Sequence, residues 1–311
     1  MSSVDNTISE QENSGANHTA NDYPIFLGSE IEQPQREQAL FHVLPIPLEK
    51  SVSYGAGTAL GPAAIVEASW QLETWDEISN PSLRGIFTHP PINVDQAVEQ
   101  VIADTATCVE KIASTGGLTV GIGGEHTVTY GIVKGLIQAG HRDFGVVQID
   151  AHADLRDAYE GDPYSHASVM KRVVDLGIPL LQLGVRAFCE EERDCRTQHR
   201  VLHHDASVLV PNNISAIELP DDFPPNVFFT LDVDGMDPSV FPSTGTPVPG
   251  GLGWYQTLAL FESIVKQRNI IGFDVTEFSP IPGFHAYEFS AALLIYKMMG
   301  IIERDRYPAN M

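Results

Sequence analysis

The stretch GVVQIDAHADLRDAYEG, residues 145–161, decides how the rest of the chain is interpreted. It begins as an apolar run and then changes abruptly at Asp150, His152 and Asp154. A short, continuous apolar run predicts a strand buried on both faces, as in a parallel sheet covered by helices. If the chain stays extended past the strand, alternate side chains point to one face, so we expect these three groups to lie together.

Apolar runs and helical patterns alternate along the rest of the chain. The strand-like runs lie at 40–47, 118–122, 144–149, 180–185, 200–204, 227–234 and 270–275. Helical patterns between them predict an α/β fold, in which a parallel sheet is covered on both faces to give a three-layer α/β/α domain. We find no linker or repeat after the first residues, so we predict one domain over 24–311. Residues 1–23 are polar and small, which predicts a disordered N-terminal arm.

Composition limits the partners of the protein. The 311 residues include 18 basic and 41 acidic side chains, for a net charge of −23. This charge argues against nucleic acid and anionic membranes as partners and would attract a cationic substrate, although solubility alone could explain it. The three cysteines have no metal-type or redox-type spacing. Together with the lack of a signal peptide or membrane-spanning run, they predict a cytoplasmic protein.

Two further strand-like runs end in residues that bind metals. His126 follows the glycine turn of LTVGIGGEH, and Asp232 and Asp234 alternate at the end of VFFTLDVD. The alternative is that these are polar turns exposed to solvent. Carboxylates and imidazoles on one face repel or desolvate one another unless a cation compensates them. The six candidate ligands are His126, Asp150, His152, Asp154, Asp232 and Asp234.

Six ligands with four carboxylates suit two ions roughly 3.5–4 Å apart better than one ion. A mostly oxygen donor set with one imidazole per ion favours two Mn²⁺, with Ni²⁺ as the alternative. Two ions that share a water would lower its pKa and leave a hydroxide near neutral pH.

The chain resembles the ureohydrolase family, which includes arginase and agmatinase. The matching stretches are YGAGTALGPAAIVEAS (54–69), GGEH (123–126), DAHADLR (150–156), YSHASVM (164–170), DVDGMDPSVFPSTGTPVPGG (232–251) and GFDVTEFSP (272–280). The resemblance implies one arginase-like domain with an eight-stranded parallel sheet, a binuclear manganese site built from the six ligands, and assembly into trimers or hexamers. Two departures stand out. Glu125 replaces a common aspartate, and Leu155 and Arg156 stand where arginases carry polar residues, which makes the chain more similar to bacterial and archaeal agmatinases.

The resemblance also implies roles for residues around the ions. We expect the hydroxide to attack the guanidinium carbon of the substrate, with Asp154 both binding metal and orienting the hydroxide. Glu277, at a strand end, is the candidate partner of the planar guanidinium. His166 stands where the family has a proton-shuttling histidine, although spacing alone would make it a helix cap.

Agmatine, hydrolysed to putrescine and urea, is the leading substrate. Aminopropylagmatine, guanidinobutyrate, guanidinopropionate, guanidine and arginine stay open as alternatives, and formiminoglutamate is less favoured. Asp157, Glu160 and Asp162 could provide an acidic environment for the distal amine, and we expect Arg156 to pair with Asp157 or Glu160. His285 could line the pocket, but we favour a loop histidine without a role in the site. A binuclear phosphoesterase or a non-catalytic family member are the other function classes. The charge and the lack of a phosphate-binding glycine loop argue against the first, and the complete ligand set argues against the second.

Overall fold

The computed structural model describes residues 23–308 of the chain. The arm predicted for residues 1–23 therefore lies outside the described residues, apart from Tyr23. Tyr23 is partly buried and packs against the core. The domain limits of 24–311 stay a prediction. In the described part of the chain, no helix is both long enough and apolar enough to cross a bilayer.

One sheet of eight parallel strands forms the centre of the domain, in the order β2-β1-β3-β8-β7-β4-β5-β6. Its strands are β1 (Phe41–Ile46), β2 (Ile86–Thr88), β3 (Leu118–Gly123), β4 (Phe144–Ile149), β5 (Leu180–Leu183), β6 (Leu202–His204), β7 (Asn226–Asp232) and β8 (Asn269–Thr276). The central strands β3, β4, β7 and β8 are almost entirely buried, as continuous apolar runs require.

Helices cover both faces of the sheet and complete the three layers. They are α1 (Gly61–Ala68), α2 (Val98–Ala113), α3 (Val128–Gln138), α4 (Val169–Asp175), α5 (Glu190–His199), α6 (Ala206–Leu209), α7 (Trp254–Val265) and α8 (Ala286–Arg306). Two apolar clusters fill the space between sheet and helices. One includes side chains of α1, α7 and α8, and the other includes side chains of α2, α3 and α4. The predicted single α/β/α domain with an eight-stranded parallel sheet is confirmed.

Two elements carry no clear signal in the sequence. Strand β2 has only three residues at the edge of the sheet, too few to show a period. Helix α5 has the polar sequence EEERDCRTQH and no apolar stripe. Three glutamates in its first turn stabilise its N-terminus through the helix dipole. Helix α1 is also short, since it ends at Ala68 and is followed by a single 3₁₀ turn at Ser69–Gln71.

The fold brings four chemically capable strand ends together. Strands β3, β8, β7 and β4 are neighbours in that order, so their carboxyl ends lie side by side at one edge of the sheet. Ligands of open α/β sheets bind at this edge, beyond the strand ends. Residues from four separate stretches of sequence therefore reach one place.

Candidate metal centre

The first ligand cluster is centred on His126 and is fully buried. Its Nδ1 atom lies 3.1 Å from an oxygen of Asp150, 3.1 Å from one of Asp154 and 3.5 Å from one of Asp232. The turn that leads from β3 to His126 requires glycine at position 124, since an added Cβ would lie 2.0 Å from the carbonyl oxygen of Leu48. This close backbone approach lets the chain turn sharply and aim His126 at the carboxylates.

The second cluster is centred on His152 and is partly open. His152 Nδ1 lies 3.0 Å from Asp234 Oδ2 and 3.6 Å from Asp150 Oδ1, and the His152 side chain is 30% exposed. Asp150 therefore belongs to both clusters: Oδ2 faces His126 and Oδ1 faces His152. In each of the triads His126–Asp150–Asp154 and Asp150–His152–Asp234, one ligand atom per residue falls within 4.8 Å of the others.

Past β4, His152 still forms an isolated parallel bridge with Ala187, and the expected extension is wrong at Asp154, where the chain turns. The strand ends at Ile149, and Asp154 has a φ of 53°, in the left-handed region. Its carbonyl oxygen accepts a hydrogen bond from Lys171 N at 3.0 Å, which fixes the turn. After β7, Asp234 N donates to Asp232 Oδ1 at 2.9 Å in a single 3₁₀ turn. The ligand residues predicted from sequence nevertheless lie together.

The electrostatics of the clusters fit bound cations. Burial raises the pKa of Asp154 and of Asp232, and neighbouring carboxylates raise both further. Burial alone would lower the pKa of His126, but Asp150 and Asp154 raise it well above its usual range. The Nδ1 atom of His126 is buried, and no described residue lies in the right direction to form a hydrogen bond with it. A divalent cation would engage this nitrogen and neutralise the carboxylates, and the oxygen-rich donor set suits manganese.

A cavity of about 310 Å³ opens beside the clusters, lined by His152, Asp154 and His166 among others. The backbone N–H of His166 donates to Ser51 Oγ at 2.9 Å, and His166 Nδ1 lies 3.2 Å from the same oxygen. Because this oxygen accepts from the backbone, its own proton is available to Nδ1, which leaves Nε2 for exchange with a ligand. Burial lowers the pKa of His166 to about 4, and the charge of His126 adds to the effect.

Glu125 and Ser51 form a support for His166 that the sequence did not reveal. Glu125 Oε2 accepts hydrogen bonds from Lys50 N and Ser51 N, both at 2.7 Å. The glutamate therefore fixes the segment whose serine fixes His166. Its place beside His126 in GGEH is the only local signal. Ser51 is separated from His166 by 115 positions, so no sequence pattern links them.

Glu277 directly follows β8 and contacts the backbone of His126. Its φ is 62°, and its Oε1 accepts a hydrogen bond from His126 N at 2.7 Å. Burial raises the pKa of Glu277 above its usual range. It is not among the residues that line the cavity. The structure therefore places Glu277 directly against the metal-ligand cluster, with one carboxylate oxygen already used by the backbone.

The predicted pairing of Arg156 is wrong. Arg156 lies 4.0 Å from Glu192 and stacks over the ring of Tyr159, rather than pairing with Asp157 or Glu160. Asp157 is instead bound by Arg172 at 2.8 Å, because α4 brings this cation to the exposed loop.

The other candidate residues outside the clusters stay at the surface or in the loop. None of the three loop acids considered for the distal amine lines the cavity. His285 is exposed at the start of α8.

Comparison with known proteins agrees with this geometry. The sequence model of the Arginase family matches residues 39–300. The chain is 40% identical over 288 residues to the N(1)-aminopropylagmatine ureohydrolase of Synechocystis sp., covering 88% of this chain and 92% of that protein. It is 33% identical over 271 residues to the enzyme of the same name from Thermus thermophilus, covering 85% and 91%. The crystal structure of agmatine ureohydrolase of Thermoplasma volcanium superposes with a TM-score of 0.78 at 28% identity, covering 89% and 94%.

Proposed function

The chain belongs to the arginase family, and on that premise we propose that it uses two divalent cations to release urea from the guanidino end of a polyamine. It is a hydrolase that acts on C–N bonds of amidines, as its ureohydrolase relatives are. The observation that carries the proposal is the position of Asp150, whose two oxygens face two separate clusters beside one cavity. A carboxylate shared in this way is what a binuclear centre requires.

The cations would be held by His126, Asp154 and Asp232 on one side, by His152 and Asp234 on the other, and by Asp150 between them. We propose Mn²⁺ at both positions, with Ni²⁺ as the alternative. Two divalent cations held there would lower the pKa of a bound water and so supply a nucleophile near neutral pH.

Three residues would serve the substrate. Asp154 lines the cavity and accepts a hydrogen bond from the attacking water, which orients it toward the guanidinium carbon. His166 carries a proton through Nε2 to the leaving amine, while Ser51 holds Nδ1. Glu277 uses its second carboxylate oxygen to pair with the guanidinium and orient its plane.

Agmatine and N1-aminopropylagmatine are the two substrates that we propose. Both carry the guanidinium on a four-carbon chain and positive charge at the distal end, which a protein of net charge −23 attracts. Agmatine is favoured by the agmatinase-like motif DLRDAYEGDPYSHASVM. The longer compound is favoured because two of the relatives described above are named for it.

Urea release tests the proposal directly. Purified protein supplied with Mn²⁺ or Ni²⁺ is incubated with agmatine, N1-aminopropylagmatine, arginine, guanidinobutyrate, guanidine and a generic phosphate ester. We expect urea from one or both polyamines and no phosphate release. The Asp150→Asn protein, treated identically, is the control. Urea from arginine or guanidine but from neither polyamine would overturn the substrate assignment, and phosphate release would overturn the reaction class.

Assembly and location complete the proposal. We propose a homotrimer or homohexamer in the cytoplasm, where the three free cysteines would stay reduced. Light scattering of the purified protein tests the assembly, and a monomer would contradict it.

A further inference from the structure

A row of buried polar side chains crosses the sheet directly beneath the metal ligands. Asp274 on β8, Thr230 on β7, Gln148 on β4 and Gln182 on β5 are partners in the parallel register of adjacent strands. Each of them is 0% exposed. Strand centres of an α/β sheet are normally apolar, so four aligned polar residues at this depth require an explanation.

Two of these residues connect Asp150 to Arg196 on helix α5. Gln148 Nε2 donates to Asp150 Oδ2 at 2.6 Å, and Gln182 Nε2 donates to Gln148 Oε1 at 2.6 Å. Arg196 Nε, on α5, donates to Gln182 Oε1 at 2.8 Å. Arg196 is held in turn by Asp205, 3.0 Å away. The amide chain Asp150–Gln148–Gln182–Arg196 is therefore continuous, and all but its outer partner Asp205 is buried.

The direction of the amide chain is fixed by chemistry at its outer end. A guanidinium only donates hydrogen bonds, so Arg196 obliges Gln182 to present its oxygen outward. The amide nitrogen of Gln182 then faces inward, where it donates to Gln148 and, at 2.7 Å, to the carbonyl oxygen of Ala153. Gln148 must in turn present its own nitrogen to Asp150. Arg196, at the far end of the hydrogen-bonded chain, thus determines that the side chain facing Asp150 is a hydrogen-bond donor.

We propose that Gln148, Gln182 and Arg196 are positioning residues that orient the Asp150 carboxylate for metal binding. Gln148 holds Oδ2, the oxygen that faces His126, and the backbone N–H of His152 holds Oδ1 at 2.5 Å. With both oxygens held, the carboxylate cannot rotate, and each oxygen stays directed at one cluster. Such outer contacts of metal ligands commonly change metal affinity about 10–100-fold when they are removed.

The inference rests on the metal centre proposed above, and the first measurement separates the two. Wild-type apoprotein is titrated with Mn²⁺ and followed by calorimetry and by electron paramagnetic resonance, which distinguishes paired from single ions. We expect two ions per chain. Fewer than two ions in the wild type would overturn the metal centre and this inference together, whereas wild-type behaviour of the variants below would overturn the inference alone.

Gln182→Glu is the sharpest variant because it exchanges one amide group for a carboxylate of the same shape. The carboxylate still accepts from Arg196 but cannot donate, so Gln148 turns its nitrogen toward position 182 and its oxygen toward Asp150. We expect about 10–100-fold weaker binding of the ions, a comparable fall in kcat at saturating Mn²⁺ and little change in KM. Gln182→Met removes the hydrogen-bond partner of Gln148 without forcing the Gln148 amide to turn over. Its loss of affinity for the ions should therefore be smaller than that of Gln182→Glu. Arg196→Lys keeps a donor toward Gln182, so this variant should retain most of the wild-type affinity for the ions.

A control separates positioning from stability. Thr119→Val removes a hydroxyl on β3 that is buried and has no hydrogen-bond partner among the described residues. It should leave the metal affinity of the protein unchanged. If circular dichroism shows that Gln182→Glu does not fold, Gln182→Met decides the question. Unchanged affinity for both ions in the folded Gln182 variant would overturn the inference, even if its free energy of unfolding is lower.

Discussion

Two groups of buried histidines in this molecule show opposite electrostatics. His126 is surrounded by the carboxylates of Asp150 and Asp154, which raise its pKa despite burial. At the edge of the sheet, His42 and His89 are equally buried but face each other, with Nδ1 of one 3.0 Å from Nε2 of the other. Burial lowers the pKa of His42 to about 4 and that of His89 to about 3.

The contrast shows what separates a structural histidine from a candidate metal ligand. The pair of His42 and His89 needs no cation, because one neutral ring donates to the other and no charge is left to compensate, even though His42 Nε2 is buried without a hydrogen-bond partner among the described residues. The His126 cluster differs because it gathers buried carboxylates that repel one another, which a cation would compensate. Burial is the same in both, so the number of nearby carboxylates makes the difference.

Removal of the shared ligand should produce the largest effect. Asp150→Asn takes a carboxylate from both clusters at once, so both ions should be lost and urea release should fall to background. Metal analysis after gel filtration and a urea assay measure the two losses. A variant that keeps both ions would show that Asp150 is not shared.

The two histidine ligands should differ in what they do to the fold. His126→Ala removes the shorter of two hydrogen bonds of the buried Thr230 hydroxyl, which lies 2.8 Å from His126 Nε2 and 3.3 Å from Thr129 Oγ1. We expect it to lower the free energy of unfolding by about 1–3 kcal/mol in the absence of metal. His152→Ala, at the cavity wall, should cost less stability while also losing one ion. Equal destabilisation by the two variants in urea denaturation would contradict this difference between the clusters.

His166 should affect the reaction without affecting the metals. His166→Asn should lower kcat by about 10²–10⁴-fold, the range for loss of a general acid or base. Both ions should remain bound, since His166 belongs to neither ligand triad. Ser51→Ala, which keeps the imidazole but loses its support, should lower kcat less. Loss of metal in His166→Asn would place His166 among the ligands instead.

The pair of His42 and His89 should make the free energy of unfolding fall at acid pH. In the unfolded chain, His42 and His89 bind protons near their ordinary pKa of 6.5. In the folded protein they stay neutral until about pH 4 and about pH 3, respectively. Their contribution is therefore complete above pH 6.5 and is lost as the pH falls below that value. Arg36 disfavours the charged form of both rings, and Glu37 partly offsets this at His42.

Between pH 7 and pH 5 we expect the pair to account for a loss on the order of 4 kcal/mol in the free energy of unfolding, about half of it from each histidine. Urea denaturation of the wild type at the two pH values is compared with that of the His42→Leu/His89→Leu double variant, whose dependence on pH should be shallower. The same slope in both proteins would mean that these histidines are charged or exposed when folded.

Much of the candidate site could be predicted because its signals are local. Asp150, His152 and Asp154 lie within five positions, and Asp232 and Asp234 within three, each set directly after an apolar strand. The end of a strand can be recognised from a few neighbouring residues, without knowledge of residues far away in the sequence. The prediction of extended geometry at Asp154 was wrong because the left-handed turn there is held by Lys171, from the following helix.

The supporting contacts could not be predicted, because each one joins distant parts of the chain. Ser51 reaches His166 across 115 positions, and Glu192 takes the place expected for Asp157 beside Arg156. Helix α5, which carries both Glu192 and Arg196, has no apolar period that would reveal it. Such contacts depend on how elements pack, and packing leaves no regular spacing in a polar sequence.

The sequence alone determined the alternation of the central strands with helices, the acidic character of the protein and the set of candidate ligand residues at the strand ends. The strands and the candidate ligands each depend on a short stretch with its own period or strand end. Only the tertiary structure decided that Asp150 faces two clusters and that Gln148, Gln182 and Arg196 stand in line behind it. These facts depend on the register between β4 and β5 and on the docking of α5. Register is fixed by packing across the whole sheet, so it cannot be read from any one strand.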